Sequence, residues 1–157
     1  MPTSSAPNRL VPLAALLVAV AAVVALLVAG GAGDELGRLS TLEEASLAYP
    51  GSTEIDRGDY PRSSSPTGEA GATLWRVLGV DASPRQLSEY FATELGRLGW
   101  EEGLAISTTD ELAAHAWERG DVTFRLGIRD PNHWRADASR SARYGTIYDV
   151  RLIGPSE

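Results

Sequence analysis

The sequence predicts an α+β domain that follows an N-terminal transmembrane helix. Three observations lead to this fold class: an uncharged apolar run at 10–29, one well-delimited amphipathic helix within 83–99, and several segments in which apolar and polar residues alternate. Alternation with a period of two indicates half-buried strands, and apolar residues at helical spacing indicate a helix lying on them. We therefore expect one helix packed on a mostly antiparallel sheet, in the order β-β-α-β-β-β-β.

The apolar run reads LVPLAALLVAVAAVVALLVA. A helix of about 20 apolar residues is long enough to cross about 30 Å of hydrocarbon, so residues 10–30 are predicted to span the lipid bilayer of the cell membrane. Arg9 on the short flank 1–9 favours a cytoplasmic N-terminus and places the rest of the chain outside the cytoplasm. Secretion after signal cleavage within 30–32 is the alternative, although the apolar cores of such signals usually have only about 7–15 residues.

The rest of the chain divides into a polar stalk at 31–45 and a domain at 46–157. The whole sequence has 157 residues, a net charge of −7 and no cysteine. The absence of cysteine excludes disulfides, thiolate metal sites and a lipidated cysteine. The negative charge argues against nucleic acid as a partner, because phosphate backbones require a basic field.

The first half of the domain is predicted to hold two strands and the helix. A turn at Tyr49-Pro50-Gly51 opens a strand within 46–55, the segment 56–71 is rich in turn-forming residues and is predicted to be a loop, and a second strand begins near Thr73. In the helix, Ser83 is the expected N-cap and Pro84 occupies the first turn. Gly99 is expected to end it in a left-handed conformation.

The second half is predicted to supply four strands. The first lies in 101–108, and the segment 109–119 is compatible with a helix or with a short turn and a strand, of which we favour the strand. Residues 122–129 alternate regularly between apolar and polar, and 147–153 close the sheet. The segment 130–145 between these last two strands is predicted to be a long polar loop.

The turn residues and aromatic residues of this arrangement support a resemblance. A Tyr-Pro-Gly turn before a strand, a capped helix that ends in Leu-Gly-Trp, a tryptophan-containing hairpin and a final tyrosine-containing strand resemble uncharacterised small α+β envelope domains of high-GC, actinobacterial-type bacteria. The likeness covers about residues 46–153 and depends on Tyr49, Pro50, Gly51, Gly99, Trp100 and Trp117. It implies a membrane-anchored or lipoprotein relative outside the cytoplasm, but it carries over no active site. This chain lacks the cysteine of the lipidated members.

No residue pattern predicts a catalytic site, a metal site or a cofactor. His115 and His133 are the two histidines, and neither has a partner at a spacing typical of metal ligands. His115 is expected in a strand beside Trp117, and His133 in the loop. Ser139 and Ser141 follow His133 without the sequence context of a hydrolase nucleophile.

Charge asymmetry gives the one candidate binding surface. Residues 31–118 hold 6 arginines and 16 acids, whereas residues 119–157 hold 7 arginines and 5 acids. Arginine forks suit carboxylate or phosphate ligands. The expected contact residues lie on one sheet face and the adjoining loop: Arg125, Arg129, Arg135, Arg140, Arg143 and Arg151, with the aromatic Trp134. The simpler interpretation is a solvated face whose arginines pair with Asp130, Asp137 and Asp149.

The sequence therefore favours a non-catalytic binding domain anchored by a single transmembrane helix. Its expected partner, besides the bilayer, is an anionic envelope polymer, a lipid headgroup or a protein. Two alternatives remain open: an envelope hydrolase that uses His133 or His115, and a structural subunit of a membrane complex.

Overall fold

The computed structural model describes residues 34–65, 68–131 and 143–156. The predicted transmembrane helix at 10–30 and its cytoplasmic flank at 1–9 lie outside these residues. Within the described ranges, no helix is both long and apolar enough to cross a membrane.

An antiparallel sheet of six strands forms the centre of the domain, as the α+β prediction requires. The strands follow the spatial order β1-β4-β8-β7-β6-β5, and a separate two-stranded hairpin pairs β2 with β3. A helix at 34–40 (α1) and a short 3₁₀ helix at Glu43–Ser46 precede the first strand. The elements that follow are β1 Thr53–Tyr60, β2 Ser63–Ser65, β3 Gly68–Ala70, β4 Thr73–Val80, α2 Pro84–Arg97, β5 Glu101–Gly103, β6 Glu111–Arg119, β7 Val122–Arg129 and β8 Thr146–Ile153.

The predicted first strand and the loop after it are wrong in their bounds. Strand β1 begins at Thr53 and continues through Tyr60, into the segment expected to be a loop, and the β2–β3 hairpin occupies much of the remainder of 56–71. The reason is long-range pairing, since β1 is aligned with β4 and Gly58 lies against the ring of Trp75. Turn-forming residues are acceptable in an edge strand when a neighbouring strand supplies the hydrogen bonds.

Helix α2 has the caps that the sequence predicts. The Ser83 hydroxyl accepts from the Gln86 N–H at 3.3 Å, and the Gln86 side-chain oxygen accepts from the Ser83 N–H at 2.9 Å. At the other end Gly99 has φ +80°, and the Trp100 N–H donates to the Leu95 carbonyl at 3.0 Å. This is a Schellman ending, which turns Trp100 back onto the helix.

One side of the sheet and the apolar stripe of α2 enclose the core. In the core, Leu87, Phe91 and Leu95 of the helix pack against inward-facing residues of the central strands and against two tryptophans. The largest of these partners are Phe124, Tyr148, Trp100 and Trp117. The alternation predicted for 122–129 is confirmed by the burial of Val122, Phe124, Leu126 and Ile128. In β8 the residues Tyr148, Val150 and Leu152 join the same core, and Asp149 between them is buried as well.

The described part of the segment predicted as a stalk packs on the domain instead. Leu39 is completely buried, and Leu36 and Leu42 pack against the same core. These leucines recur every three residues, so the segment has an apolar side that covers the sheet next to α2. The carbonyl of Ala45 accepts from Arg76 at 3.2 Å and so ties the segment to β4. The domain therefore includes residues 34–45.

The strand predicted at 101–108 is shorter than expected, whereas the strand favoured within 109–119 is confirmed. Strand β5 comprises only Glu101–Gly103, and the chain then leaves the sheet with Leu104 and Ile106 exposed. Strand β6 joins β7 through a two-residue turn in which Gly120 has φ +63°, a conformation that favours glycine.

Candidate functional site: the arginine face

The three strand arginines predicted to share a face do share it. Arg125 of β7 lies directly opposite Arg151 of β8, and Arg129 lies four residues further along β7 on the same side of the sheet. This side, which we call the arginine face, is turned away from α2, because the alternate residues Phe124, Leu126 and Ile128 point into the core.

Asp149 holds the three guanidinium groups together. Its Oδ1 accepts from Arg129 Nε at 3.0 Å, its Oδ2 accepts from Arg151 Nε at 2.8 Å, and Arg125 Nη1 lies 3.8 Å from Oδ2. The pairing with Asp149 that the sequence suggested is therefore confirmed, although this aspartate is buried and not on a solvated surface. Its charge offsets the repulsion between arginines on neighbouring strands.

Glu111 is the second carboxylate of the arginine face, and the sequence analysis missed it. Its two oxygens lie 2.8 and 2.6 Å from Arg125 Nη2, and Arg129 Nη2 lies 3.4 Å from Oε1. An irregularity in the β6–β7 pairing between Glu111 and Ala113 breaks the simple alternation of β6. Strand periodicity alone therefore did not place this side chain on the arginine face.

The pKa of Glu111 reflects two opposing effects. Burial raises the pKa of its carboxyl, but hydrogen bonds from Arg125 and from the Thr108 N–H, with the nearby charge of Arg129, outweigh burial and lower the pKa overall. The carboxylate is therefore charged at neutral pH and balances its arginine neighbours.

Within the described part of the chain, this cluster holds more guanidinium groups than carboxylates. Three guanidinium groups surround two carboxylates, and the Arg151 side chain is 40% exposed, whereas those of Arg125 and Arg129 are largely buried. Among the described residues, Arg125 Nη1 has no hydrogen-bond acceptor. The guanidinium of Arg151 is therefore the accessible one of the three, and the donor at Arg125 Nη1 is buried.

The arginine face also fixes the chain between β5 and β6. Arg125 Nη2 donates to the carbonyl of Ile106 at 3.1 Å, and the Glu111 carboxylate accepts from the Thr108 N–H at 2.9 Å. The Glu111 N–H in turn donates to the Thr108 carbonyl at 3.1 Å. The segment 104–110, which we call the β5–β6 loop, is therefore attached by its backbone to the arginine face.

The loop residues proposed from sequence are only partly described. Arg143 is exposed in the turn before β8, close to the sheet end where β7 finishes at Arg129. Arg135, Arg140 and Trp134 lie outside the described residues, as do His133 and Asp137.

His115 occupies the strand position predicted for it and packs in parallel against Trp117, with 5.7 Å between the ring centroids. Its Nε2 lies 2.9 Å from the hydroxyl of Ser88 on α2, a partner that sequence spacing could not reveal. The same hydroxyl donates to the Pro84 carbonyl at 3.0 Å, as helical serines often do. Within the described ranges, the hydrogen bonds of His115 include none to a carboxylate, so this serine–histidine contact lacks the acid of a hydrolase triad.

The chemistry available at the arginine face is charge-assisted hydrogen bonding to an anion. Groups of three or more His, Cys, Asp or Glu side chains that could hold a metal ion are absent from the described part of the chain. No protein-family model, no curated protein and no solved structure matches this chain.

Proposed function

We propose that this chain is a membrane-anchored, extracytoplasmic domain that binds an anionic ligand at its arginine face and catalyses no reaction. The observation that carries the proposal is the arrangement of three guanidinium groups around two carboxylates. Arg151 is the accessible member of this arrangement, because its side chain is 40% exposed. A phosphate or carboxylate oxygen beside Arg151 would accept from its Nη groups.

Arg151 is the residue expected to make the first contact with the ligand. Arg125 and Arg129 are largely occupied by Glu111 and Asp149, and they hold Arg151 in place through the shared aspartate. A planar guanidinium that donates through Nε to Asp149 still has its Nη groups available for an anion.

Membrane anchorage is the second part of the proposal. Residues 10–30 have the length and apolar character of a spanning helix, and the resemblance to envelope domains agrees with a location outside the cytoplasm. If cleavage within 30–32 released the chain instead, helix α1 at 34–40 would be retained and the domain would be secreted. N-terminal sequencing of the protein from native membranes distinguishes the two.

The binding test compares Arg151→Gln with a matched control on the opposite side of the domain. Arg85→Gln removes an equal charge from α2, where Arg85 is strongly exposed and pairs with Glu89. We expect Arg151→Gln to weaken retention of the full-length protein on immobilised polyphosphate at least about 10-fold, since a charge-assisted hydrogen bond contributes about 1.5–3 kcal/mol. Arg85→Gln should leave retention close to that of the wild type.

Salt dependence provides the second measurement. Retention through the arginine face should fall as ionic strength rises, and this dependence should be weaker in Arg151→Gln. Equal retention by the wild type and both variants would show that the arginines form only an internal ion network, and the binding proposal would be abandoned.

A further inference from the structure

The β5–β6 loop exposes large apolar side chains next to the arginine face. Leu104 is 91% exposed and Ile106 is 82% exposed, and Leu112, just after the loop, is also mostly exposed. Single exposed apolar residues are ordinary, but two as strongly exposed as Leu104 and Ile106 within three positions form a local apolar projection.

The loop is held in this conformation and cannot readily turn its side chains inward. Arg125 binds the carbonyl of Ile106, and Glu111 binds the N–H of Thr108, so two buried charges fix the loop backbone on both sides of Ser107. The two apolar side chains project from a backbone that is attached to the domain. Because the loop backbone is already fixed, little conformational entropy is lost when these side chains contact an external apolar partner.

The chain enters the domain at the end of the sheet that carries the β6–β7 turn. Arg38 of α1 contacts Asp121 in the β6–β7 turn at 3.0 Å, which places α1 at that end of the sheet. Gly103 pairs with Ala116, three positions before Arg119 at the turn, so Leu104 lies about 13 Å from this end at about 3.3 Å per strand residue.

The link to the predicted spanning segment is equally short. Only residues 31–33 separate that segment from Asp34, and the four steps from Gly30 to Asp34 extend at most about 14 Å. A bilayer that holds residues 10–30 is therefore within reach of Leu104.

We infer that the β5–β6 loop inserts Leu104 and Ile106 into the headgroup–acyl boundary of the bilayer that anchors the chain. This inference rests on the membrane anchorage in the proposed function and names lipid as the partner of the surface formed by the arginine face and the loop. Insertion would bring Arg151 toward the level of the lipid phosphates, because the loop backbone is bonded to Arg125, which lies opposite Arg151.

The charges around the loop determine how docking should depend on lipid composition. Glu101, Glu102 and Asp110 are exposed at the two ends of the loop and oppose an anionic surface. The insertion of the loop should therefore depend mainly on the two apolar side chains, and it should occur on vesicles of zwitterionic lipid as well as on anionic ones.

The absence of cysteine permits a direct test in the full-length protein. Leu104→Cys and Ala92→Cys each introduce a single thiol for a nitrobenzoxadiazole label, and Ala92 is exposed on α2 on the opposite side of the sheet. Both variants are reconstituted into phosphatidylcholine vesicles with or without spin-labelled acyl chains. We expect a blue-shifted emission and strong quenching for the label at position 104, and neither for the label at position 92.

A second variant separates apolar insertion from simple proximity. Adding Ile106→Asp to the Leu104→Cys protein should abolish the quenching while the protein still floats with the vesicles. If the label at 104 is quenched no more than the label at 92 in floating protein, loop insertion is wrong and the anchorage stands. If the unmodified full-length protein does not float with vesicles, the anchorage fails, and the inference fails with it.

Discussion

Glu44 and Arg119 form a bidentate ion pair inside the domain. The distance is 2.7 Å between Oε1 and Nη1 and 3.2 Å between Oε2 and Nη2. The Glu44 side chain is 1% exposed and also accepts from Trp100 Nε1 at 2.8 Å. The guanidinium carbon of Arg119 lies 4.7 Å from the centroid of the Trp100 ring. These contacts connect the segment before β1 to the end of α2 and to the β6–β7 hairpin.

Glu44→Gln should destabilise the domain by about 2 kcal/mol, because it leaves the Arg119 charge without its buried counter-ion. The estimate is below that for a completely buried pair, since Arg119 is partly exposed. Chemical denaturation of the variant measures the effect. Glu43→Gln is the control, because Glu43 is strongly exposed and should change the midpoint little. Equal midpoints for the two variants would contradict a stabilising role for the ion pair.

Glu111 predicts a specific acid dependence of stability. Its pKa lies below the ordinary value of 4.5, so its contribution is complete above that value and is lost as the pH falls through the lowered pKa. The unfolding free energy of the wild type should therefore decrease more steeply below about pH 4.5 than that of Glu111→Gln. Urea titrations at a series of pH values measure the two slopes. Glu101→Gln, exposed on β5, should keep the wild-type slope, and a wild-type slope in Glu111→Gln would refute the prediction.

Tyr148 fixes the turn that precedes β1. Its buried hydroxyl accepts from the Tyr49 N–H at 3.0 Å and lies 2.7 Å from the Ser52 hydroxyl. Tyr148→Phe leaves both groups without this partner and should lower the unfolding free energy by about 1–2 kcal/mol. Tyr60→Phe removes an exposed hydroxyl and should have almost no effect in the same denaturation experiment. An equal loss of unfolding free energy in the two variants would contradict this role of the Tyr148 hydroxyl.

Two glycines near the end of α2 should respond to alanine in opposite directions. Gly96 is helical and a Cβ there meets nothing within 4 Å, so Gly96→Ala should stabilise the domain by about 0.5–1 kcal/mol. Gly99 has φ +80°, and Gly99→Ala should destabilise it by about 1 kcal/mol. Thermal melts of both variants test these two predictions. A melting temperature of Gly96→Ala below that of the wild type would contradict the first of them.

The parts of the fold that the sequence predicted well are those specified locally. Ser83 and Gly99 delimit α2 through their own backbone conformations, and the alternation in 122–129 needed only one buried face. The first strand and the β2–β3 hairpin required a partner strand far along the chain, and the turn-forming residues of 56–71 gave no indication of it. The apolar spacing of Leu36, Leu39 and Leu42 was present in the sequence, but the surrounding polar residues concealed it.

The residues of the arginine face were likewise predicted only in part from the sequence. Strand periodicity placed Arg125, Arg129 and Arg151 together, because every second residue of a strand points to the same side of the sheet, as does the residue opposite it on the next strand. It did not predict Glu111, whose position depends on an irregularity in the β6–β7 pairing. Nor did it predict that Asp149 is buried, because burial of a charge depends on counter-ions from other strands.

The two edges of the six-stranded sheet bear on the tendency of the chain to aggregate. Strand β5 at one edge has only three residues, and β1 at the other has an irregularity between Glu54 and Asp56 and carries a third acid at Asp59. Short, kinked or charged edges resist the addition of a foreign strand. The two edges therefore disfavour edge-to-edge joining of this sheet between crowded copies of the domain.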